Sequence, residues 1–222
     1  MAVAVTEVPD RVPVYPRLSP GMMGMYIFLA SEVMFFGTLF ASYFYLYGSH
    51  QPWPPPGSHP VNWWPIPFFN SIILFSSGAT CHVAHLGIQA GNRRRFFYWW
   101  VLTIVLGIGF EIGQAYEFVE KLAPQWISFL PWVNPSDAMA FSANPFATAF
   151  FTMTGFHGLH VLGGLVILCI LLWRFSKGQF SQRHHVGIAA GAIYWHFVDA
   201  VWAFLFVVLY LLVTFPNGYQ GG

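Results

Sequence analysis

Nine ionisable side chains interrupt long apolar stretches of this sequence, and each is a candidate for chemistry in a low-dielectric environment. A charged group at mid-bilayer depth costs about 2.5–3.5 kcal/mol on insertion scales, so such residues normally face a bundle interior or a cavity. There they can carry protons, ligate a metal or haem, or join helices by hydrogen bonds. The nine are Glu32, His82, His85, Glu111, Glu117, His157, His160, His196 and Asp199.

Three pairs of these residues are spaced three apart, which places both members on one helix face. The pairs are His82 with His85, His157 with His160, and His196 with Asp199. Two histidines supply half of a metal site at best, and the apolar stretches contain no HxxxH, HxxHH, ExxH or CxxC pattern. We therefore expect no metal bound by this chain alone, although a haem held by histidines from two different helices stays open.

Glycines and tryptophans surround the last two pairs. In "TGFHGLHVLGG" the glycines allow a second helix, or a bulky cofactor, to approach His157 and His160 closely. In "YWHFVDAVW" one stripe carries Trp195, Asp199 and Trp202. A hydrogen bond from His196 to Asp199 would lower the cost of burying both, and this structural interpretation is favoured because no nucleophile lies nearby in sequence.

Two interpretations of Glu32, in "SEVMFFG", stay open. It is either a carboxyl close to a proton route or a buried lipid site, or an acid that joins two helices by a hydrogen bond.

Glu111 receives no specific role, and Glu117 is expected to reach water near the outer interface. The spacing of Gly109 and Gly113 predicts a helix-packing face.

The elements that must position these residues are predicted to be five transmembrane helices. Composition supports this, since 56% of the 222 residues are hydrophobic and 8% are charged, against about 25% charged in soluble domains. A net charge of +1 argues against a nucleic-acid partner. Cys81 and Cys169 are interpreted as packing residues. The spans are placed at 22–47, 66–90, 96–119, 145–174 and 187–214, each long enough to cross about 30 Å of hydrocarbon.

Eight of the nine lysines and arginines fall on one side of these spans, and the positive-inside rule makes that side cytoplasmic. The N-terminus is therefore predicted inside and the C-terminus outside. We divide the chain into a cytoplasmic tail, 1–20, a five-helix all-α membrane domain, 21–215, and a short outer tail, 216–222.

Several segments together resemble subunit III of the haem–copper cytochrome c oxidases. They are "SEVMFFG", "WPPPGSHP", "TGFHGLHVLGG", "RHHVG" and "YWHFVDAVWAFLFVVLY", in the family's order, and the resemblance runs from about residue 20 to 214. It favours the cytochrome c-oxidising branch over the quinol-oxidising relatives, which remain the alternative. It also favours a bacterial plasma membrane over a mitochondrial inner membrane, because the mitochondrial-type form has seven helices.

The resemblance implies a core subunit without haem, copper or catalytic centre of its own. Such a subunit packs beside subunits I and II of a proton-pumping oxidase, binds phospholipid in a cleft and supports proton uptake, in some cases within a larger respiratory supercomplex. By resemblance, Glu32 matches the family's buried carboxyl. His157, His160, His196 and Asp199, with Trp195 and Trp202 beside them, match positions that shape the bundle and its lipid cleft. His184 and His185 match a cytoplasmic pair that feeds protons to the uptake channel.

Two functions from other classes compete with this interpretation. One is a free-standing haem-binding electron carrier that uses cross-helix histidines. The other is a transporter with Glu32, Glu111 and Asp199 as a proton relay, which the absence of an internal repeat disfavours.

Overall fold

The computed structural model describes residues 19–50, 52–55, 63–123, 139, 141, 143–182 and 184–214. Five long helices make up most of these residues: α1, Pro20–Ser49; α2, Ile66–Gln89; α3, Arg93–Leu122; α4, Pro145–Ser176; and α5, Val186–Phe206. After α5 the chain continues as a π-helical segment, Val207–Leu211, and one last α-helical turn, Leu212–Thr214.

Local sequence explains where three of the helices begin. Ser19 and Asn144 precede prolines at the first helical position, and their side chains accept hydrogen bonds from the backbone N–H groups of Met22 and Ala147. Asn92 caps α3 in the same way, at 2.9 Å from the N–H of Arg95. The turn before it contains Gly91, whose φ of +73° is a conformation that suits glycine.

The helices α2, α3, α4 and α5 form a closed ring in which each contacts the next and α5 returns to α2. The α2–α3 hairpin makes the most extensive contact, and Gly87 permits it, because a Cβ there would lie 2.9 Å from the backbone nitrogen of Phe96. Helix α1 lies outside this ring against α4 and α5, and buries only Phe36 and Tyr43. The bundle is thus a four-helix core with one peripheral helix.

All five predicted spans are confirmed as helices long and apolar enough to cross a membrane, and the chain is a multi-pass membrane protein. The direction in which the helices cross stays a prediction, as do the domain boundaries. The 1–18 part of the N-terminal tail and the outer tail lie outside the described residues. Cys81 is buried and Cys169 is exposed on α4, and both are free thiols.

The expectation that Glu117 reaches water is wrong. Its side chain is only 2% exposed. It accepts hydrogen bonds from the hydroxyl of Tyr210 at 2.9 and 3.0 Å and pairs with Lys121 at 3.3 Å. The carboxylate is buried because these two partners, one a helical turn away and one on the π-helical segment, replace water around it.

Candidate functional site

The structure gives Glu32 a partner on another helix. Glu32 Oε2 on α1 lies 2.9 Å from His160 Nε2 on α4, and the two side chains are 17% and 19% exposed. The rings of Phe35 and Phe36 lie 5.9 and 4.9 Å from the imidazole, between centroids. The polar pair is therefore set in an aromatic surround at the edge of the bundle, where it joins the peripheral helix to the core.

The hydrogen bonds of His160 determine how many protons this bridge holds. Its Nδ1 donates to the backbone carbonyl of Phe156 at 2.7 Å, since a carbonyl oxygen can only accept, so Nδ1 carries a proton. The bond between Nε2 and Glu32 then needs one further proton. That proton lies on Nε2, which gives an imidazolium–carboxylate pair, or on Glu32, which gives two neutral groups. The bridge is neutral in both forms and can pass one proton between its two ends.

Aromatic side chains hold α1 where the bridge can form. Phe36 packs against Phe197 of α5, and Phe28 against Tyr194, whose hydroxyl donates to the carbonyl of His160 at 3.0 Å. Further along α1, the Tyr43 hydroxyl donates to the carbonyl of Val208 at 3.1 Å. The bridge is thus one of several contacts of α1, and among those described it is the one that joins a carboxyl group to an imidazole.

Three other predicted residues, His157, Trp195 and Trp202, lie inside the ring and are separate from the Glu32 bridge. His157 is fully buried, and its ring stacks on Trp202 with centroids 5.1 Å apart. The Trp202 indole N–H donates to the Ser71 hydroxyl at 2.9 Å, and the Trp195 indole N–H to the Ser77 hydroxyl at 3.0 Å. Both bonds connect α5 to α2. The two bonds stabilise the packing of α5 on α2, whereas neither ring nitrogen of His157 has a hydrogen-bond partner among the described residues.

One of the glycines that left room for a cofactor, Gly164, accommodates Trp195 instead. A Cβ on Gly164 would lie 2.9 Å from Cε3 and Cζ3 of the Trp195 ring, and a Cβ on Gly107 would lie 2.8 Å from the adjoining atoms Cη2 and Cζ2. The indole therefore occupies a slot between α3 and α4. His157 and His160 point to different neighbours, Trp202 and Glu32, and do not form a paired ligand set.

His196 and Asp199 lie at a third place, the groove between α2 and α5. His196 Nδ1 is 3.7 Å from Asp199 Oδ2, a separation beyond hydrogen-bond distance. The carboxylate lies directly over Gly78, where any Cβ would overlap it. The His82 ring on α2 is 6.3 Å from the His196 ring. The predicted His–Asp pair is thus a loose contact, with a further histidine beside it.

The second predicted histidine pair lies at the start of α5. His184 is exposed, and its backbone N–H bonds Ser181. His185 is half-buried, with its ring 6.0 Å from that of His85, which in turn contacts Gln89 at 3.3 Å. Nearby, Arg93 donates to the carbonyls of Phe175 and Phe180 and so fastens α3 to the α4–α5 connection.

Sequence reasoning missed the small residues that position the large ones: Ser71, Ser77, Gly78 and Gly107. Hydroxyls and glycines on a buried helix face are common, so only their match to the tryptophans of α5 reveals them. Within the described ranges, no three His, Cys, Asp or Glu side chains are placed to hold a metal ion together.

An apolar groove of about 580 Å³ lies between α2 and α3, near the start of α2 and the second half of α3. Its walls include Phe69, Ile73, Ile112 and Tyr116, and Gly109 and Gly113 form part of its floor. The predicted glycine face does pack on α2, since a Cβ on Gly113 would lie 2.5 Å from Asn70 Oδ1.

Comparisons with known proteins agree with one another. The family described as cytochrome c oxidase subunit III matches residues 17–214. A cytochrome c oxidase subunit 3 of Thermostichus vulcanus is 35% identical over 195 residues, which cover 87% of this chain and 88% of that protein. Subunits of the same name from Prototheca wickerhamii and Paracentrotus lividus are 40% and 41% identical, over 84% of this chain and 67% of each relative.

Proposed function

Because the chain belongs to the cytochrome c oxidase subunit III family, we propose that it supports proton uptake and binds phospholipid in a proton-pumping oxidase that reduces oxygen to water. It is a subunit of the terminal oxidase and contributes no catalytic centre. It packs beside subunits I and II in a bacterial plasma membrane, and takes part there in any larger respiratory supercomplex.

The Glu32–His160 bridge carries this proposal. The bridge joins α1 to the core, as expected of an acid that connects two helices, and it holds one transferable proton in a neutral pair, as expected of a carboxyl near a proton route. It is therefore consistent with both interpretations of Glu32 that the sequence left open. The pair is also partly exposed, so a lipid or a neighbouring subunit can contact it.

The outward face of α1 is the proposed lipid contact. Val33 and Met34, next to Glu32 in sequence, are 58% and 75% exposed, and apolar side chains at this depth suit fatty acyl chains. A phospholipid on this face would cover the open side of the bridge and regulate how readily its proton exchanges.

The histidines before α5 are the proposed proton collectors. His184 is exposed and His185 is half-buried at the same end of the bundle as the basic residues of the α2–α3 turn. Imidazoles change protonation near neutral pH more readily than any other side chain, so such a pair can take up protons from the surface.

Replacement of Glu32 tests the proposal. In the Glu32→Ala oxidase we expect normal assembly and haem content, fewer co-purified phospholipids, and proton pumping that declines during turnover. Glu32→Gln is the matched control, because the amide keeps a hydrogen bond to His160 but holds no transferable proton. It should retain lipid and still lose sustained pumping. Complete failure of Glu32→Ala to assemble would support a purely structural role.

A further inference from the structure

We propose that the face formed by α2 and α5 around His82, His196 and Asp199 packs against a transmembrane helix of another oxidase subunit, which donates a hydrogen bond to Asp199. This inference rests on the proposed function, since it requires partner chains in the membrane. It assigns those three residues to an interface with protein and separates them from the lipid contact of α1.

Depth and exposure make this face unusual. His196 lies ten residues into α5, about 15 Å from its start at 1.5 Å per residue, and so close to the centre of the hydrocarbon. Its side chain is 43% exposed, and His82 on α2 is also exposed. Polar groups exposed at this depth are costly unless another polar group covers them.

The outward faces of the neighbouring helices show the contrast. On α3 and α4 the exposed side chains at similar depth are apolar, as expected for contact with lipid: Val105, Ile108, Ile112, Leu159, Leu162, Val166 and Ile170. Among the described helices, exposed imidazoles at mid-depth are confined to the α2–α5 face. Contact with lipid is therefore unfavourable for the α2–α5 face, whereas it is favourable for the outward faces of α3 and α4.

Asp199 indicates what the partner must supply. The residue is 8% exposed, and its Oδ1 has no hydrogen-bond partner within the described chain. The nearest basic atom, His196 Nδ1, lies 3.7 Å from the other carboxylate oxygen, beyond hydrogen-bond distance. Oδ1 itself is enclosed within the chain, so a partner can reach only the exposed part of the carboxylate. The Asp199 side chain is 12% exposed, and an N–H or O–H group there would be a favourable neighbour.

The surroundings of these polar groups favour a helix as the source of that donor. Ser76 and Ala79 on α2 and Ala200 on α5 are exposed on the same face, and small residues of this kind let a second helix approach closely. Acyl chains have no hydrogen-bond donors, and phospholipid headgroups remain at the interface. A membrane-spanning protein segment is the occupant that meets both requirements.

The first experiment places a bulky side chain on the face. In the purified oxidase, Ala79→Trp should reduce the amount of this chain relative to the other subunits at least tenfold. The matched control is Val166→Trp, at an exposed mid-depth position of α4, which should leave the stoichiometry unchanged. Equal retention of both variants would overturn the proposal.

The second experiment does not depend on tolerance of a larger side chain. Phe75 lies one heptad before His82 and is 42% exposed, whereas Phe156 on α4 is 39% exposed. Each is replaced by photoreactive benzoylphenylalanine, and the intact oxidase is irradiated. We expect Phe75 to give an adduct with a membrane-spanning segment of another oxidase subunit and Phe156 to give none. Adducts with phospholipid alone at Phe75 would refute the proposal.

These outcomes differ from a failure of the proposed function itself. If the wild-type chain does not co-purify with oxidase subunits, the proposed function fails. If it does co-purify, but the Phe75 adducts are with lipid and Ala79→Trp is fully retained, only the assignment of this face fails.

Discussion

The slot that holds Trp195 offers a quantitative test of the packing. In Gly164→Ala the new Cβ would lie 2.9 Å from the indole and 3.1 Å from the ring of Tyr194. Retreat of the indole is limited, because Gly107 of α3 lies close to the adjoining ring atoms, where a Cβ would be 2.8 Å away. Any shift would also strain the hydrogen bond from the indole N–H to Ser77.

The expected magnitude follows from two opposing terms. An extra methyl group in a well-packed core costs about 1–3 kcal/mol. Replacement of glycine by alanine in a helix stabilises the folded state by about 0.8–1.0 kcal/mol, because alanine has the higher helix propensity. The adjacent Gly163 provides the control, since its Cβ would meet only the Tyr194 hydroxyl, at 3.8 Å. Helix propensity cancels between the two variants, so their free energies of unfolding should differ by the packing cost alone, about 1–3 kcal/mol.

The assay is unfolding of the purified protein in mixed micelles with an increasing fraction of SDS. Gly163→Ala should unfold at or slightly above the wild-type midpoint and Gly164→Ala clearly below it. Tryptophan fluorescence should change in Gly164→Ala alone, because only that variant displaces the indole. If the two variants unfold together, the slot is wider than the structure indicates and the reasoning is wrong.

Two further predictions concern single hydrogen bonds and the surface histidines. Ser77→Ala removes the acceptor of the buried Trp195 indole N–H and should lower the free energy of unfolding by about 1–3 kcal/mol. The control is Ser76→Ala, at the exposed neighbouring position, which should change the free energy of unfolding by less than about 0.5 kcal/mol in the same assay. His184→Gln combined with His185→Gln should slow oxidase turnover mainly above pH 7, because protons in solution are scarce there. A pH–rate profile identical to that of the wild type would contradict the proposed role of these histidines in collecting protons.

Much of the architecture is readable from the sequence because the bilayer leaves few alternatives. The predicted spans differ from the observed helices by at most three residues at either end when the π-helical segment and the last turn, which ends at Thr214, are counted with α5. Hydrocarbon thickness sets the length of a span, and backbone polar groups in lipid must be satisfied within the helix. Ser19, Asn92 and Asn144 then fix helix starts by local hydrogen bonds that depend only on neighbouring residues.

The identities of the partners across helices were beyond the sequence. Helical periodicity shows which residues share a face, but not which other helix that face meets. Glu32 therefore stayed ambiguous until the fold brought His160, on α4, to 2.9 Å from it. Glu117 was misjudged for the same reason, since its distance from the end of α3 predicted water and the fold supplied Tyr210.

The sequence by itself determined that this chain is a five-helix membrane protein of the oxidase subunit III family, with ionisable groups at known depths in its helices. Only the tertiary structure decided that these groups divide among a proton-bearing bridge, an internal tryptophan cluster and an exposed polar face. The physical reason is that depth follows from position along one helix, whereas a side chain's solvent and partner depend on how separate helices pack.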